Sequence, residues 1–181
     1  MLSLQRQYRI EDFAPLCRDA DLDSFREATA DAFLVHRGLV RRLVVPQRQW
    51  QLTRSAQRID VVPALAGGAL VYPIKGKGVA RRRRPGAWFA TVGRADENEI
   101  VLPDLSVSMF HAVFRRGPRW QYLVSDAGSR NGTFVSGQPA PESEQGPGRE
   151  VEPGVELRFG NMRLTFVLAA QLYRMARALA T

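Results

Sequence analysis

From Ala69 onward the chain never runs long without a turn residue, and this most limits what it can fold into. Short apolar segments, Ala69–Ile74, Ala87–Val92, Ile100–Leu102, His111–Arg116, Trp120–Ser125, Thr133–Val135, Val155–Phe159 and Arg163–Leu168, are separated by stretches rich in Gly, Pro and Asn. None is long enough for an ordinary helix, and several carry β-branched or aromatic residues. In one of them Trp120, Tyr122 and Val124 alternate with Gln121, Leu123 and Ser125, the period of a strand with two different faces. Many short strands at close spacing predict an all-β sandwich of two antiparallel sheets.

The flanks read differently. Residues 8–36 have helical spacing: Phe25, Ala28, Ala32 and Phe33 recur at helical intervals, Ser24 and Glu27 stand at capping-box distance, and Ile10 to Arg18 suits an earlier short helix. Residues 39–45 and 57–62 suit extended chain, and Pro63 with Gly67-Gly68 mark a boundary. Residues 138–150, poor in apolar groups, read as a long solvated loop. Leu168, Leu172, Met175 and Leu179 then define the face of a final helix that packs on the body of the protein. The expected organisation is an α-rich extension over 1–68, a sandwich domain over 69–168 and a C-terminal helix over 169–181. Phe13, Phe25, Phe33 and Trp50 in the extension are expected to pack inward.

Charge and cysteine content exclude several functions. The net charge is +8, yet residues 1–68 contribute +2, residues 87–181 contribute zero, and +6 comes from Lys75, Lys77 and Arg81 to Arg84. One local cluster is not the spread of positive charge that a general polyanion binder presents, so nucleic acid is not the expected partner. The chain has one cysteine, Cys17, and two histidines, His36 and His111, which rules out an internal disulfide and argues against a zinc cluster; no metal and no cofactor are expected. No apolar run reaches the length of a membrane span and the first residues do not read as a signal peptide. A reducing, cytoplasmic setting follows.

Three segments can carry chemistry: Thr91-Val92-Gly93-Arg94, Ser106-Val107-Ser108-Met109-Phe110-His111, and Asp126-Ala127-Gly128-Ser129-Arg130-Asn131-Gly132-Thr133. Each lies where a strand meets a loop. Gathered at one edge of a sandwich, they would bring together a guanidinium, a hydroxyl and an amide. Such a set suits a phosphate on a peptide: arginine supplies planar donors and permanent charge, a hydroxyl and loop N–H groups add donors, and an asparagine can both donate to and accept from a peptide backbone. Each segment alone is an ordinary turn signal.

Their order and spacing, Gly-Arg, then Ser-x-x-His, then Asp-x-x-Ser-x-Asn-Gly-Thr, resembles the signature of the forkhead-associated (FHA) domain family. The resemblance covers about 100 of the 181 residues. It implies an FHA/SMAD-like sandwich that binds phosphothreonine, in preference to phosphoserine, on a partner protein. By the same resemblance Arg94 contacts the phosphate, Ser108 hydrogen-bonds it, Asn131 holds the ligand backbone and Arg130 lies near the ligand. Gly93 and Gly132 serve loop geometry, and His111 braces the loop that presents Ser108. Asp126, Ser129 and Thr133 complete the structural motif. Two positions depart from the family. Met109 stands where a polar or basic residue often adds a phosphate contact, and Ser136 stands where Asn often precedes Gly.

The reading is therefore a recognition module in Ser/Thr kinase signalling, with a threonine-phosphorylated protein or a Ser/Thr kinase as partner. Two alternatives remain: a phosphate-independent FHA scaffold, and an adaptor with a second anionic contact through Arg81 to Arg84. A strand from Ala87 to Gly93 spans roughly 23 Å at about 3.3 Å per residue, so that cluster is expected at the opposite end of the sandwich from Arg94. Catalysis is not expected. Ser108 and His111 are the one Ser/His pair close in sequence, with no carboxylate evidently placed to orient the histidine.

Overall fold

The computed structural model describes residues 7–36, 68–77 and 88–179. After β1 (Tyr8–Arg9) a 3-10 turn (Ile10–Phe13) leads into α1 (Ala14–Asp19) and α2 (Leu22–Ala28). Eleven further strands follow: β2 (Ala32–His36), β3 (Leu70–Pro73), β4 (Phe89–Gly93), β5 (Ile100–Val101), β6 (Ala112–Arg116), β7 (Tyr122–Asp126), β8 (Thr133–Val135), β9 (Gln138–Pro139), β10 (Arg149–Val151), β11 (Glu156–Phe159) and β12 (Met162–Leu168), before the terminal helix α3 (Ala169–Ala178). They form a seven-stranded sheet, β1-β3-β2-β12-β11-β8-β9, and a five-stranded sheet, β10-β7-β6-β4-β5.

The molecule has two apolar interiors. Between the sheets lie Tyr72, Val92, Phe114, Val124, Leu157, Phe159 and Phe166 among others. On the outer face of the larger sheet, Phe13, Phe25, Phe33, Val71, Val167, Leu172 and Met175 form a second core beneath the helices. Three layers result, helices on sheet on sheet. The helical face expected at the C-terminus does pack inward: Leu172 and Met175 are buried, while Leu179, beyond the helix, is 40% exposed.

Residues 8–36 are helical only in part. The expected short helix over Ile10 to Arg18 is a 3-10 turn continued by α1, and α2 is capped by Asp21, whose carboxylate accepts from Ser24 N–H, rather than by Ser24. Residues 32–36 form a strand. β2 lies between β3 and β12, so Ala32 and Leu34 enter the inter-sheet core while Phe33 and Val35 enter the helical layer. A strand buried on both faces reads as an unbroken apolar run, and period alone cannot separate it from a buried helix. The described part of the N-terminal extension thus contributes two strands and two helices to the body of the sandwich.

Other differences are smaller. The expected loop over 138–150 contains β9 and β10, two edge strands too short and polar to show a pattern. Ser136 (φ 49°) and Gly137 (φ 78°) form the two-residue turn between β8 and β9, with both residues left-handed as a type I′ hairpin requires. Both sheets are antiparallel apart from β4 and β5, which run parallel because the loop over 94–99 carries the chain back before β5 starts. The extended segments over 39–45 and 57–62, Trp50, the Pro63 and Gly67 boundary, and Arg81 to Arg84 lie outside the described residues. No helix among the described residues is long and apolar enough to cross a membrane.

Candidate functional site

The three motif segments meet at one end of the sandwich. β4 ends at Gly93, and the loop over 102–111 passes directly behind it. A side chain at Gly93 would place Cβ 2.2 Å from the Met109 carbonyl oxygen, which is why the position is glycine. The approach is sealed by Arg94 N–H donating to the Ser108 carbonyl at 2.9 Å and Ala95 N–H to the Met109 carbonyl at 3.2 Å. Asn98, buried, donates through Nδ2 to the carbonyls of both Ala95 and Met109, at 2.8 and 2.7 Å.

His111 joins the second segment to the third. Its Nδ1 accepts the Ser108 backbone N–H at 3.0 Å, and its Nε2 lies 3.2 Å from the Gly132 carbonyl. That pair of partners requires the neutral ring with the proton on Nε2. The ring is completely buried. Burial lowers its pKa below the ordinary histidine value, and this outweighs the opposing effects of the Gly132 carbonyl and of Asp126.

Asp126 organises the third segment. Its carboxylate accepts from Ser129 N–H at 2.8 Å, Ser129 Oγ–H at 2.7 Å and Thr133 Oγ1–H at 2.6 Å. Burial by itself would raise its pKa, but these donors and the nearby His111 hold it below the ordinary carboxylate value. Ser129 Oγ in turn accepts Gly132 N–H at 2.9 Å, and Gly132 adopts φ 76°. The loop so wound points Arg130 N–H at Ser108 Oγ, 3.0 Å away, and Asn131 Nδ2 at the Ser106 carbonyl, 2.7 Å away.

Arg94, Met109, Arg130 and Asn131 are exposed and Ser108 is half-buried, while Gly93, His111, Asp126 and Thr133 are buried beneath them. Arg94 uses Nε on the Val107 carbonyl at 3.3 Å, which leaves both Nη groups. Ser108 Oγ accepts from Arg130, which leaves its own proton to donate. Asn131 keeps its amide oxygen as an acceptor. Met109, 64% exposed, lines a groove of about 420 Å³ with Phe89 and Phe110 on the flank of the smaller sheet.

Ser108 and His111 are not a nucleophile and its base. The imidazole takes the serine's backbone N–H and not its hydroxyl, and the ring is closed to solvent.

Four bracing residues, Asn98, Asp104, Gly160 and Asn161, escape the motif reading. Ser106 accepts Asn161 N–H on its Oγ at 2.8 Å and is held by Asp104, and Gly160 (φ 58°) would put a Cβ 2.4 Å from the Ser106 carbonyl. Gly160-Asn161 between two apolar runs is a hairpin signal, and Asp104-x-Ser106 is an Asx-turn signal. Asn98 carries no such mark, because its two partners come from carbonyls that only the fold brings together.

Comparison with known proteins identifies the family. A family model of the FHA domain matches residues 90–160. The oxoglutarate dehydrogenase inhibitor of Corynebacterium diphtheriae is 37% identical over 119 residues, 62% of this chain and 73% of that protein. The glycogen accumulation regulator GarA of Mycobacterium tuberculosis is 32% identical over 101 residues, 56% of this chain and 58% of that protein. Among solved structures, Mycobacterium tuberculosis EmbR in complex with a low-affinity phosphopeptide is 26% identical, with a TM-score of 0.38 over 45% of this chain and 20% of that one. The matched segment contains all three motif segments, and the chain belongs to the FHA-domain family.

Proposed function

We propose that this chain is a phosphothreonine-dependent protein-recognition module and not an enzyme. The observation that carries the reading is the set of donors left over once the loops are braced. The donors are the two Nη groups of Arg94 and the hydroxyl proton of Ser108, with the amide oxygen of Asn131 beside them as an acceptor, on three loops joined by direct hydrogen bonds. Arg94 and Ser108 would hold the phosphate. Asn131, with Arg130 beside it, would hold the peptide backbone. The names of the relatives, an enzyme inhibitor and a regulator, support a role in regulation by protein contact. The expected partner is a threonine-phosphorylated protein or a Ser/Thr kinase, in the cytoplasm.

One observation favours a second reading. Met109, Phe110 and Phe89 are exposed apolar groups around the same groove, a surface suited to a phosphate-independent contact. Titration against a phosphothreonine peptide library, with matched phosphoserine and unphosphorylated peptides, separates the two. Arg94→Ala should weaken phosphothreonine binding roughly tenfold to a hundredfold, since a charged hydrogen bond contributes about 1.5–3 kcal/mol. No binding to any phosphorylated member, or binding indifferent to phosphate, would transfer the function to the apolar surface.

A further inference from the structure

The N-terminal extension meets the sandwich at the end remote from the recognition loops. Trp88 stands just before β4, whose far end leads to Arg94, and Tyr122 begins β7, whose far end is Asp126. At about 3.3 Å per residue, roughly 13 Å of strand separates Tyr122 from Asp126. Here a cavity of about 680 Å³ opens between α2, which contributes Asp23 and Glu27, and the sandwich, which contributes Ile74, Lys75, Trp88 and Tyr122. Small molecules commonly occupy sites of about 300–1,000 Å³, often at a junction between structural units.

The walls are held in place by contacts of their own. The guanidinium carbon of Arg116 lies 3.5 Å from the centre of the Tyr122 ring and 5.4 Å from that of Trp88. Arg116 also reaches Asp31 at 3.5 Å, and Asp31 pairs with Arg26 at 2.8 Å, so the extension and the sandwich are tied beside the cavity. Gly76 lets Trp88 lie directly on the backbone, since a Cβ there would fall 2.1 Å from Cε2.

These ties engage Asp31, Arg26 and Arg116 and leave charge of both signs on the cavity. Glu27 and Lys75 have no ion-pair or hydrogen-bond partner among the described residues, and the exposed Asp23 is no nearer to Arg26 than 3.7 Å. Asp23 and Glu27 stand four residues apart, so their carboxylates share one face of α2. Two carboxylates alone would attract any cation. The ammonium of Lys75 on the same cavity selects for an anionic group on the same molecule. The complementary ligand carries two cationic groups and one carboxylate, on an apolar stem that can cover Ile74 and Trp88.

We propose that this cavity binds a free dibasic amino acid of the arginine or lysine class. Its α-carboxylate meets Lys75, and its two cationic groups meet Asp23 and Glu27. The site is independent of the phosphothreonine reading and lies at the other end of the sandwich.

The test is calorimetric titration of the full chain with L-arginine and L-lysine. Agmatine and cadaverine are the same molecules without the carboxylate, and L-citrulline and L-norleucine lack the side-chain charge. At least one basic amino acid should bind saturably. Removing either group from it should weaken binding by about fivefold, between an exposed ion pair and a well-formed charged hydrogen bond. K75Q should abolish the preference for the amino acid over its decarboxylated form. The double variant D23N/E27Q should abolish the preference over the analogue with the uncharged side chain. All three positions are exposed, so the variants should melt close to the wild-type chain, and the analogue series on the wild-type chain needs no variant. No saturable binding of either amino acid would overturn the proposal. So would agmatine or cadaverine binding as tightly as its parent, which would leave a plain acidic surface, or a carboxylate preference that survives K75Q.

Discussion

Asp126→Ala tests whether the recognition surface is held from beneath. The carboxylate receives three hydrogen bonds of 2.6–2.8 Å from two residues. A hydrogen bond to a charged group contributes about 1.5–3 kcal/mol, but three that share one acceptor do not add. Ser129 is half-buried and can turn its N–H and hydroxyl to water once the carboxylate is gone. Thr133 is 1% exposed, so its hydroxyl is orphaned. Leaving one buried hydroxyl unsatisfied costs about 1–3 kcal/mol, and loss of the loop's anchor adds a similar amount. The expected destabilisation is about 2–6 kcal/mol, read from the midpoint of urea unfolding. Asp126→Asn keeps one carbonyl acceptor, and both hydroxyls can rotate to accept its amide, so about 1–2 kcal/mol is expected.

The mutation should also reach the ligand, although Asp126 is buried. Without it the loop that aims Arg130 N–H at Ser108 Oγ and Asn131 at Ser106 is released, and phosphopeptide affinity should fall tenfold or more at a temperature where the variant is still folded. Arg94→Ala, on an exposed side chain, should lose affinity with stability nearly intact, so the two variants separate brace from contact. Loss of less than about 1 kcal/mol in Asp126→Ala, with affinity unchanged, would refute the bracing argument.

Four other outcomes follow from the same geometry. His111 has a depressed native pKa, so the unfolded chain binds the extra proton first; stability should be full above about pH 6.5 and decline as pH falls from there through the native value, with the slope reduced in His111→Gln by unfolding at stepped pH. Gly93→Ala forces a Cβ onto the Met109 carbonyl and should cost about 1–3 kcal/mol in urea unfolding, with peptide affinity falling as the Ser108 loop is displaced. Ser136→Asn places a residue that tolerates positive φ at φ 49° and should stabilise by about 0.5 kcal/mol, read as a small rise in Tm. Phe25→Ala empties a fully buried site against Phe13, Phe33 and Tyr173 and should cost about 3–5 kcal/mol in one cooperative transition; a separate early transition for the helices would contradict the shared core.

Legibility in the sequence divides along a physical line. Strands of the sandwich that are bounded by turns, such as Thr133–Val135 and Val155–Phe159, were readable because burial on one face and a turn at each end leave a local pattern. Phe33 and Val35 were not, because they face a helical layer whose other half, Leu172 and Met175, arrives more than 130 residues later. β10 was unreadable for the opposite reason, since one buried Val151 in three residues makes no period. In the site, residues acting within their own segment were visible: Asp126 on Ser129 and Thr133, and His111 on Ser108. Those acting across segments, Asn98 on Met109 and Asn161 on Ser106, need the fold before they have partners.

This division bears on what an FHA signature can report. Of the motif residues here, Gly93, His111, Asp126 and Thr133 are buried, and Ser129 and Gly132 spend their polar groups within their own loop or on His111. The signature is therefore mostly a specification for holding three loops at one height. Arg94, Ser108 and Asn131 are its few outward-facing letters. A chain could keep the buried set and exchange the exposed one, and it would retain the fold while its ligand changed. The residues that would distinguish one such protein from another lie at the margins of the braced set. In this chain Met109 is such a residue, an apolar side chain exposed at the edge of the site. Swapping Met109 for Lys should accordingly raise affinity for any phosphorylated peptide through charge alone, an effect that fades with salt.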